Sequence, residues 1–416
     1  MTADTDPPLA RASAAAVPEI AGDATLRLLR DGYLFGTRLF RDAGADAVRT
    51  RLLGRPALIA RGAEAAHVFG TPGLFARSGA LPRSVVHLLQ DEGSVQSLEG
   101  GAHDARKALM LSIANDDRAR LVELFEEEWQ RAFDRERGTT VSLLDLSSRV
   151  LARAALRWVG ADDAAGDAQL ARDLRAMIDR ASALGPLNWW ARARRLRVEG
   201  WAADRIEGAR RDTDTSTAIG RLAHHVENGS PLPTDAAVVE LLNLLRPVVA
   251  VARFVAFAGH ALHRHPEWTE RLRGGEVTPA PWIAEEVRRF YPFFPMIAGI
   301  ATDGFDLAGT RFPHGQWMLF DLYGTDHSSA LWESPNSFDP QRFATASPHL
   351  VVAQGVGDPT SAHHCPGEQA TTDLLASAVW LLATGPMYRV PEQDLRISLR
   401  RIPAQPQSGM LIELPA

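Results

Sequence analysis

The chain is poor in cysteine, in excess positive charge and in long apolar runs, and each of these shortages excludes a class of protein. It contains 416 residues and a single cysteine, Cys365. One cysteine excludes an intrachain disulfide framework and any zinc or iron–sulfur site built from several cysteines. Positive charge is not in excess, since the chain contains 45 Lys and Arg and 51 Asp and Glu residues, which gives a formal net charge of −6. Without basic clusters to meet phosphates, the chain is a poor candidate for binding nucleic acid.

Long apolar runs are also scarce. No stretch approaches about 18 uncharged apolar residues, so we expect no membrane span. The N-terminal segment MTADTDPPLARASAAAVPEI has two Asp, no Lys and no apolar core of a secretory signal. We therefore expect a cytoplasmic protein. Residues 1–20 should form a flexible N-terminal arm, and residues 21–416 a single domain.

The composition is that of a protein with a large core, because 45% of residues are hydrophobic and 23% are charged. Up to about residue 290 the apolar spacing favours helices, with segments through 115–136, 142–158, 167–183 and 236–264. From about residue 295, short apolar runs punctuated by Pro and Gly predict small strands, and another strand pair is expected after residue 388. The predicted fold class is mainly α with small β-sheets, without the alternating β/α pattern of a doubly wound sheet.

One long helix is predicted from Thr234, as N-cap, to Arg264, where Pro266 stops it. At about 1.5 Å per residue it would span roughly 45 Å. Its middle is apolar except for Arg246 and Pro247. An interior proline costs about 3 kcal/mol, and a buried, unpaired arginine is expensive. Arg246 therefore indicates an anionic partner such as a ligand carboxylate, although a solvated face for Arg246 with a tolerated kink at Pro247 remains an alternative.

Three motifs then follow in order along the chain. They are Glu286-Val-Arg-Arg289-Phe-Tyr-Pro292, the segment SPNSFDPQRF that ends in Arg342-Phe343, and the glycine-rich QGVGDPTSAHHCPGEQATTDLL that carries Cys365. Together they resemble the cytochrome P450 superfamily.

This resemblance implies a single-domain cytochrome P450 fold, with haem b held between the long central helix and the helix after Cys365. It also implies that Cys365 is the axial thiolate and metal ligand of the haem iron, and that Glu286, Arg289 and Arg342 form a structural charge cluster. The residue types agree with this, because a thiolate ligand favours O–O cleavage. A glycine-rich turn that opens a helix offers N–H groups to the sulfur anion.

The central helix departs from the usual superfamily pattern. Most members carry an acid–alcohol pair that relays protons, whereas this chain has Asn243-Leu-Leu-Arg246-Pro247. Arg-Pro at this place resembles one branch, the bacterial fatty-acid peroxygenases and decarboxylases, which use hydrogen peroxide directly. That likeness implies that no redox-partner protein is required. Further matches to the branch lie at 75–82, 95–100, 288–293 and 322–327.

The resemblance also implies a mechanism in which the substrate's own carboxylate, paired with Arg246, replaces the missing acid–base groups. Hydroxylation of a fatty acid at its α or β carbon follows, with Arg246, Pro247 and Gln96 as the catalytic set. Gln96 is similar to the glutamine of hydroxylating members, whereas a histidine there accompanies the alkene-forming one. Oxidative decarboxylation to a terminal alkene remains the alternative.

Cations are expected around the haem propionates. His103 and Lys107 lie four residues apart on a predicted helix and therefore share a face. Their segment resembles the branch's propionate-binding helix, and His363, two residues before Cys365, resembles another propionate donor. A solvated surface pair is the alternative reading of His103 and Lys107.

Other functions stay open at this point. The chain could be a ferredoxin-dependent monooxygenase, although the missing acid–alcohol pair argues against this, or a haem-based carboxylate sensor without turnover. It could also be a peroxygenase for a non-lipid carboxylate. Gln90 and Phe294 depart from the branch's usual residues, which leaves chain length and the preference for the α or β carbon open.

Overall fold

Helices dominate the fold. The computed structural model describes residues 16–89, 91, 93–164, 166–181, 185–227 and 229–416. Gln90 and residues 1–15 of the expected arm lie outside these ranges. The α-helices of the described residues are α1 Thr25–Asp31, α2 Phe35–Ala43, α3 Gly62–Phe69, α4 Arg83–Leu89, α5 Gly100–Asp116, α6 Arg118–Arg135, α7 Leu143–Trp158, α8 Ala168–Asp179, α9 Pro186–Ala209, α10 Ala218–Ala223, α11 Thr234–Ala250, α12 Ala252–Arg264, α13 Pro266–Arg273, α14 Pro279–Phe290, α15 Leu322–Asp326 and α16 Glu368–Thr384.

The helix starts follow from local chemistry. The expected apolar face of 115–136 belongs to α6, where it is buried, but a break at Asp117 separates this helix from α5. Ser142 caps α7 by accepting from the Asp145 amide at 3.2 Å. Asp167 caps α8 by accepting from the amides of Gln169 and Leu170. Each cap satisfies backbone donors that have no partner within the helix.

The long central helix is present, with two differences from expectation. Thr234 is the first residue of α11 rather than its N-cap, because Pro233 has the extended conformation of the capping position. The helix is also divided at Val251. The Val251 amide donates at 3.2 Å to the carbonyl of Val248, three residues earlier, which makes a tighter turn than the four-residue spacing of an α-helix. Pro247 lacks an N–H and removes the bond to the Asn243 carbonyl in the preceding turn, so it does not by itself account for the division one turn later. The end at Arg264, before Pro266, is as predicted.

A six-stranded mixed sheet lies beside the helices. The strands of the described residues are β1 Glu19–Asp23, β2 Ala47–Leu52, β3 Arg55–Ala60, β4 Phe75–Ala76, β5 Thr140–Ser142, β6 Val226–Glu227, β7 Ser230–Pro231, β8 Met296–Ala301, β9 Phe305–Leu307, β10 Thr310–Phe312, β11 Trp317–Asp321 and β12 Leu411–Glu413. The large sheet has the order β1-β2-β3-β11-β8-β4, and β3 and β11 run parallel within it. Two-stranded sheets join β9 to β10, β5 to β12 and β6 to β7.

Near both ends of the described chain, the strand pairing differs in detail from the sequence expectation. Val17 is buried and β1 already begins at Glu19, so the expected boundary at residue 20 falls inside a strand that pairs with β2. After residue 388, β12 pairs with β5, which is more than 250 residues earlier, while the pairing expected within the tail is present only as the single antiparallel bridges Arg389–Glu413 and Ile397–Pro406. Sequence periodicity cannot show such a long-range partner.

The core sits around the central helix. The largest hydrophobic cluster joins α6, α7, α11, α12 and α16. By length and composition the stretch Thr234–Arg264 would suffice to cross a membrane, with a mean hydropathy of 1.7, yet 94% of its most apolar window is buried inside the protein. Its apolar surface is therefore covered by neighbouring helices, and the functional residues it carries face the interior.

Candidate haem and carboxylate site

The predicted charge cluster forms on α14. Arg289 donates to both carboxylate oxygens of Glu286 at 2.7 Å, and Arg342 approaches the same carboxylate at 3.2 Å. The remaining N–H groups of Arg289 bond to the carbonyls of Asp326, Pro335 and Ser337. Glu286 and Arg289 are fully buried. Because carbonyls and carboxylates take up the donors of Arg289, the cluster fastens α14 to the segment 326–342 that precedes the cysteine loop.

The loop before Cys365 is held in place by close backbone contacts. Gly357 has φ +92, and a Cβ there would come within 2.5 Å of the Gly70 carbonyl, so glycine is required. Asp358 accepts from the hydroxyl and the amide of Thr360 and from the amide of Ser361. These bonds lower the pKa of Asp358 to about 2. The loop thus places Cys365 just before the start of α16.

Two N–H donors approach the thiol of Cys365. Gln354 Nε2 lies 3.6 Å from the sulfur, and the Gly367 backbone amide donates to it as well. Burial raises the pKa of the Cys365 thiol, whereas both donors lower it. The side chain is partly exposed. Donors of this kind suit a sulfur that carries negative charge as an iron ligand.

Lys107, the only lysine of the chain, reaches this loop from α5. Its ammonium donates to the Ala362 carbonyl at 3.1 Å and to the His364 carbonyl. The side chain is 2% exposed, which excludes the alternative of a solvated surface residue, and burial lowers its pKa to about 8. The structure therefore shows Lys107 fastening the cysteine loop, and its contact with a propionate stays a prediction.

The structure brings the other two expected propionate residues together. The rings of His103 and His363 are 4.4 Å apart, and His103 is buried. His363 Nε2 lies 3.3 Å from Glu99, which also accepts from the Arg77 amide. Burial lowers the pKa of His363 and that of Arg77, the latter to about 10. Arg77, to which the sequence analysis assigns no role, thus joins a cluster of nitrogen donors beside the loop.

Arg246 is buried, with 3% of its surface exposed. This agrees with the expectation of an arginine that needs an anionic partner. Its Nη2 donates to the Leu89 carbonyl and, at 2.5 Å, to Asn243 Oδ1. Its Nη1 is buried and has no hydrogen-bond partner among the described residues. Burial lowers the pKa of Arg246 to about 9, which still leaves the group charged at neutral pH. The alternative of a solvated face for Arg246 is therefore wrong.

Gln96 lies next to this arginine through Asn243, whose Nδ2 donates to Gln96 Oε1 at 3.1 Å. The same Nδ2 donates to Glu240 Oε2 at 3.0 Å. Pro247 follows Arg246 directly in α11. The three residues predicted as the catalytic set are thus brought together, with Asn243 and Glu240 as additional members.

A second cation on the central helix is paired. Arg253 donates to Asp179 at 2.5 Å, while its Nε and Nη1 have no partner in the part of the chain that the structure describes. His260, farther along the helix, bonds to the Tyr291 hydroxyl at 2.8 Å. No group of three or more potential metal-ligating side chains occurs among the described residues.

These features define the class of the protein. A lone cysteine with amide donors lies at a helix start, and a cluster of His, Lys and Arg surrounds its loop. A long helix crosses the fold, and a buried Glu–Arg pair supports the segment before the loop. The donor set fits a haem whose iron takes one thiolate, and the arrangement is that of a cytochrome P450.

Comparisons with known proteins agree. The family profile described as Cytochrome P450 matches residues 280–356. Putative cytochrome P450 137 of Mycobacterium tuberculosis is 25% identical over 190 residues, which is 44% of this chain and 39% of that protein. Pentalenic acid synthase of Streptomyces avermitilis is 22% identical over 224 residues, covering 53% of this chain and 52% of that one. The chain thus spans about half or less of these curated relatives.

Solved structures match over nearly the whole chain. Cytochrome P450EX alpha (CYP152N1) with myristic acid has a TM-score of 0.89 and 33% identity, covering 96% of this chain and 98% of that chain. A variant of cytochrome P450 OleT with arachidonic acid has a TM-score of 0.91 and 32% identity, with 96% and 97% coverage. A variant of cytochrome P450SP alpha (CYP152B1) has 0.89 and 35%, with 94% and 98%. The chain belongs to the CYP152 family of cytochromes P450, and it is a haem-thiolate oxidoreductase.

Some site residues escaped the sequence reading. Glu240 and Asn243 precede Arg246 at intervals of three, a spacing that marks one face of a helix and could have drawn attention to them. Gln354 opens the glycine-rich loop, but nothing local shows that its amide reaches the sulfur 11 residues later. The place of Arg77 beside the loop likewise becomes visible only in the folded chain.

Proposed function

We propose that this protein is a peroxygenase that uses hydrogen peroxide to hydroxylate fatty acids at the α or β carbon. The observation that carries the proposal is the buried Nη1 of Arg246, which has no partner among the described residues. A buried cationic donor is costly unless an acceptor meets it. A substrate carboxylate would supply both the acceptor and the opposite charge.

Each residue has a part in this reaction. Cys365 would ligate the iron, with Gln354 and Gly367 donating to its sulfur. When bound, haem supplies the iron centre at which the O–O bond of peroxide is cleaved. Arg246 would hold the carboxylate so that the first carbons of the chain lie over that centre. The carboxylate held by Arg246 would accept a proton from one oxygen of peroxide and return it to the other, which would leave as water.

The absence of an acid–alcohol pair supports peroxide as the oxidant. The stretch from Asn243 to Pro247 contains no hydroxyl or carboxyl side chain, so the helix at this place offers no proton relay of its own. The substrate would supply it, and a fatty alcohol or ester of the same length should fail. For the same reason we propose that turnover needs no redox-partner protein.

Gln96 favours hydroxylation over decarboxylation, because a neutral amide in this network can form hydrogen bonds but cannot transfer a proton to the substrate as a histidine can. Oxidative decarboxylation to a terminal alkene is the second candidate. A non-lipid carboxylate is the third candidate, since Phe294 stands where the pattern of the branch has a glycine and packs edge-on against Phe293, with ring centroids 4.7 Å apart.

The test is an incubation of purified, haem-loaded protein with myristic acid and hydrogen peroxide, read by mass spectrometry. The expected products are 2- and 3-hydroxymyristic acid, formed without any reductase. Myristyl alcohol is the matched control and should give no product. A terminal alkene as the main product would support the second candidate. No product, with intact haem and consumed peroxide, would contradict a fatty-acid substrate.

A further inference from the structure

A chain of hydrogen bonds ties the candidate carboxylate site to a buried acid on the same helix. Glu240, Asn243 and Arg246 lie at intervals of three residues on α11, so their side chains are neighbours along one face. Glu240 is fully buried, and Asn243 is 5% exposed. The three side chains are linked in sequence, from Glu240 through Asn243 to Arg246.

Glu240 can only accept in this arrangement. Its Oε1 receives the Val95 amide at 2.7 Å and Arg106 Nη1 at 2.9 Å, and its Oε2 receives Asn243 Nδ2 at 3.0 Å. Burial raises the pKa of Glu240, whereas the contacts with Asn243, Arg106 and Val95 lower it, and because all three partners donate, this arrangement favours the carboxylate form. Arg106 supplies the opposite charge and is itself held by Glu227.

The carboxylate decides which way the amide of Asn243 points. An amide has one donor end and one acceptor end. With Nδ2 turned towards Glu240, Oδ1 is left to accept from Arg246 Nη2, which it does at 2.5 Å. In the opposite orientation, N–H groups would face the guanidinium and an oxygen would face the carboxylate. Only one orientation is therefore compatible with an ionised Glu240.

The same amide also orients Gln96. Because Asn243 Nδ2 donates to Gln96 Oε1 at 3.1 Å, the acceptor end of Gln96 is used and its Nε2 is left as a donor. In the part of the chain that the structure describes, Nη1 of Arg246 is buried and without a partner, whereas Gln96 is partly buried and has Nε2 as its remaining polar end. One buried carboxylate thus leaves donor ends on both Gln96 and Arg246.

We propose that Glu240 is a positioning residue that acts through Asn243 and makes both Gln96 and Arg246 present donors to the substrate carboxylate. The inference rests on the proposed function, in which Arg246 binds that carboxylate. A glutamine at 240 would keep the size but replace one acceptor by a donor. Asn243 would then turn over, set N–H against the guanidinium and turn Gln96 with it.

The experiment compares haem-loaded wild type with Glu240→Gln. Myristic acid is titrated while the Soret band is followed, and imidazole serves as a ligand that needs no carboxylate site. The expected result is a rise of about tenfold or more in the Kd and KM for myristic acid, because hydrogen bonds to charged groups contribute this much. Imidazole affinity and the thiolate spectrum should not change. A general loss of packing would alter all of them together.

The matched control is Glu128→Gln. Glu128 is also a buried glutamate, 1% exposed and bound by arginines, but it lies on α6 and touches none of the site residues. It should bind myristic acid as the wild type does. If Glu240→Gln fails to retain haem, Asn243→Leu tests the same point, because a leucine of similar size adds no charge, cannot donate to Gln96 or accept from Arg246, and should also weaken binding about tenfold.

The outcomes separate the two proposals. Wild-type affinity for myristic acid in Glu240→Gln, or in Asn243→Leu where that replaces it, would overturn the positioning role and leave the proposed function intact. A wild-type protein that forms no hydroxymyristic acid from myristic acid and peroxide would contradict the proposed function, and with it the need for oriented donors. Equal weakening of myristic acid and imidazole would assign Glu240 to packing alone and overturn the inference.

Discussion

Gln354 Nε2 lies 3.6 Å from the sulfur of Cys365, and a second contact fixes its direction. Arg288 Nε donates to Gln354 Oε1 at 3.1 Å, so the amide can turn only its nitrogen towards the thiol. Arg288 is itself buried and bound to Glu285 at 2.6 Å. A side chain at the start of the loop thus supplies a directed donor to the residue that we assign to the iron.

Replacing Gln354 by methionine removes this donor while keeping a side chain of similar size. A sulfur with one hydrogen bond fewer pushes more electron density onto iron, so the reduction potential should become more negative, on the order of tens of millivolts. Potentiometric titration of the haem-loaded protein measures it. A surface change such as Gln130→Met serves as control. An unchanged potential in Gln354→Met would contradict a donor role.

Arg246→Ala should abolish peroxide-driven turnover of myristic acid. The guanidinium would no longer hold the carboxylate, and the carboxylate would no longer be placed to move protons. Product analysis by mass spectrometry measures turnover, and the Soret spectrum should stay thiolate-like. Arg246→Lys should keep part of the affinity, because a lysine keeps the charge but lacks the bidentate fork. Normal turnover in Arg246→Ala would be incompatible with the mechanism.

Glu286→Gln should destabilise the fold strongly. The change leaves the fully buried Arg289 without its carboxylate partner, and breaking a buried pair in this way costs about 3–5 kcal/mol. Urea denaturation measures the free energy of unfolding. Removing the exposed Arg311–Asp306 pair by Arg311→Ala should cost no more than about 1 kcal/mol. Similar losses in the two variants would contradict a structural role for the cluster.

Asp321 predicts a pH dependence of stability. Its side chain is fully buried, its Oδ1 accepts the Gly324 amide, and its Oδ2 has no hydrogen-bond partner among the described residues. Burial raises the pKa of Asp321 to about 7. The folded state therefore holds the proton more tightly than the unfolded state, whose aspartates titrate near pH ~3.9.

The sign follows from this difference. The stabilising contribution of the protonated Asp321 is fully present below about pH 4 and is lost as the pH rises through about 7. Asp321→Asn keeps the acceptor for Gly324 and carries no charge, so it should flatten this part of the curve and unfold at higher temperature than wild type at pH 8. Thermal unfolding at several pH values measures it. Parallel curves for the two proteins would exclude Asp321 as the cause.

Much of the site could be predicted from sequence because its motifs are local. Glu286 and Arg289 are one turn apart, so their pairing needs only a helix. Cys365 is the single cysteine and stands in a glycine-rich turn before a helix. Arg246 stands out because its apolar neighbours in the central helix leave a cation without local compensation. Each inference rests on chemistry within a few residues.

The partners of these residues could not be predicted in the same way. Gln96 and Asn243 are 147 residues apart, and Lys107 reaches a carbonyl 255 residues later. Whether an amide presents its oxygen or its nitrogen depends on the partners that surround it, and these come from different elements. The division of the central helix at Val251 and the pairing of β12 with β5 are likewise consequences of packing.

The sequence by itself determined the chemistry available: one thiolate, a buried arginine in place of an acid–alcohol pair, and a helical fold with small sheets. Only the tertiary structure decided how this chemistry is directed. Glu240, Asn243 and Gln96 converge on Arg246, and Arg288 turns Gln354 towards Cys365. The physical reason is that a hydrogen bond depends on the direction of donor and acceptor, and in a buried site those directions are fixed by groups from distant parts of the chain.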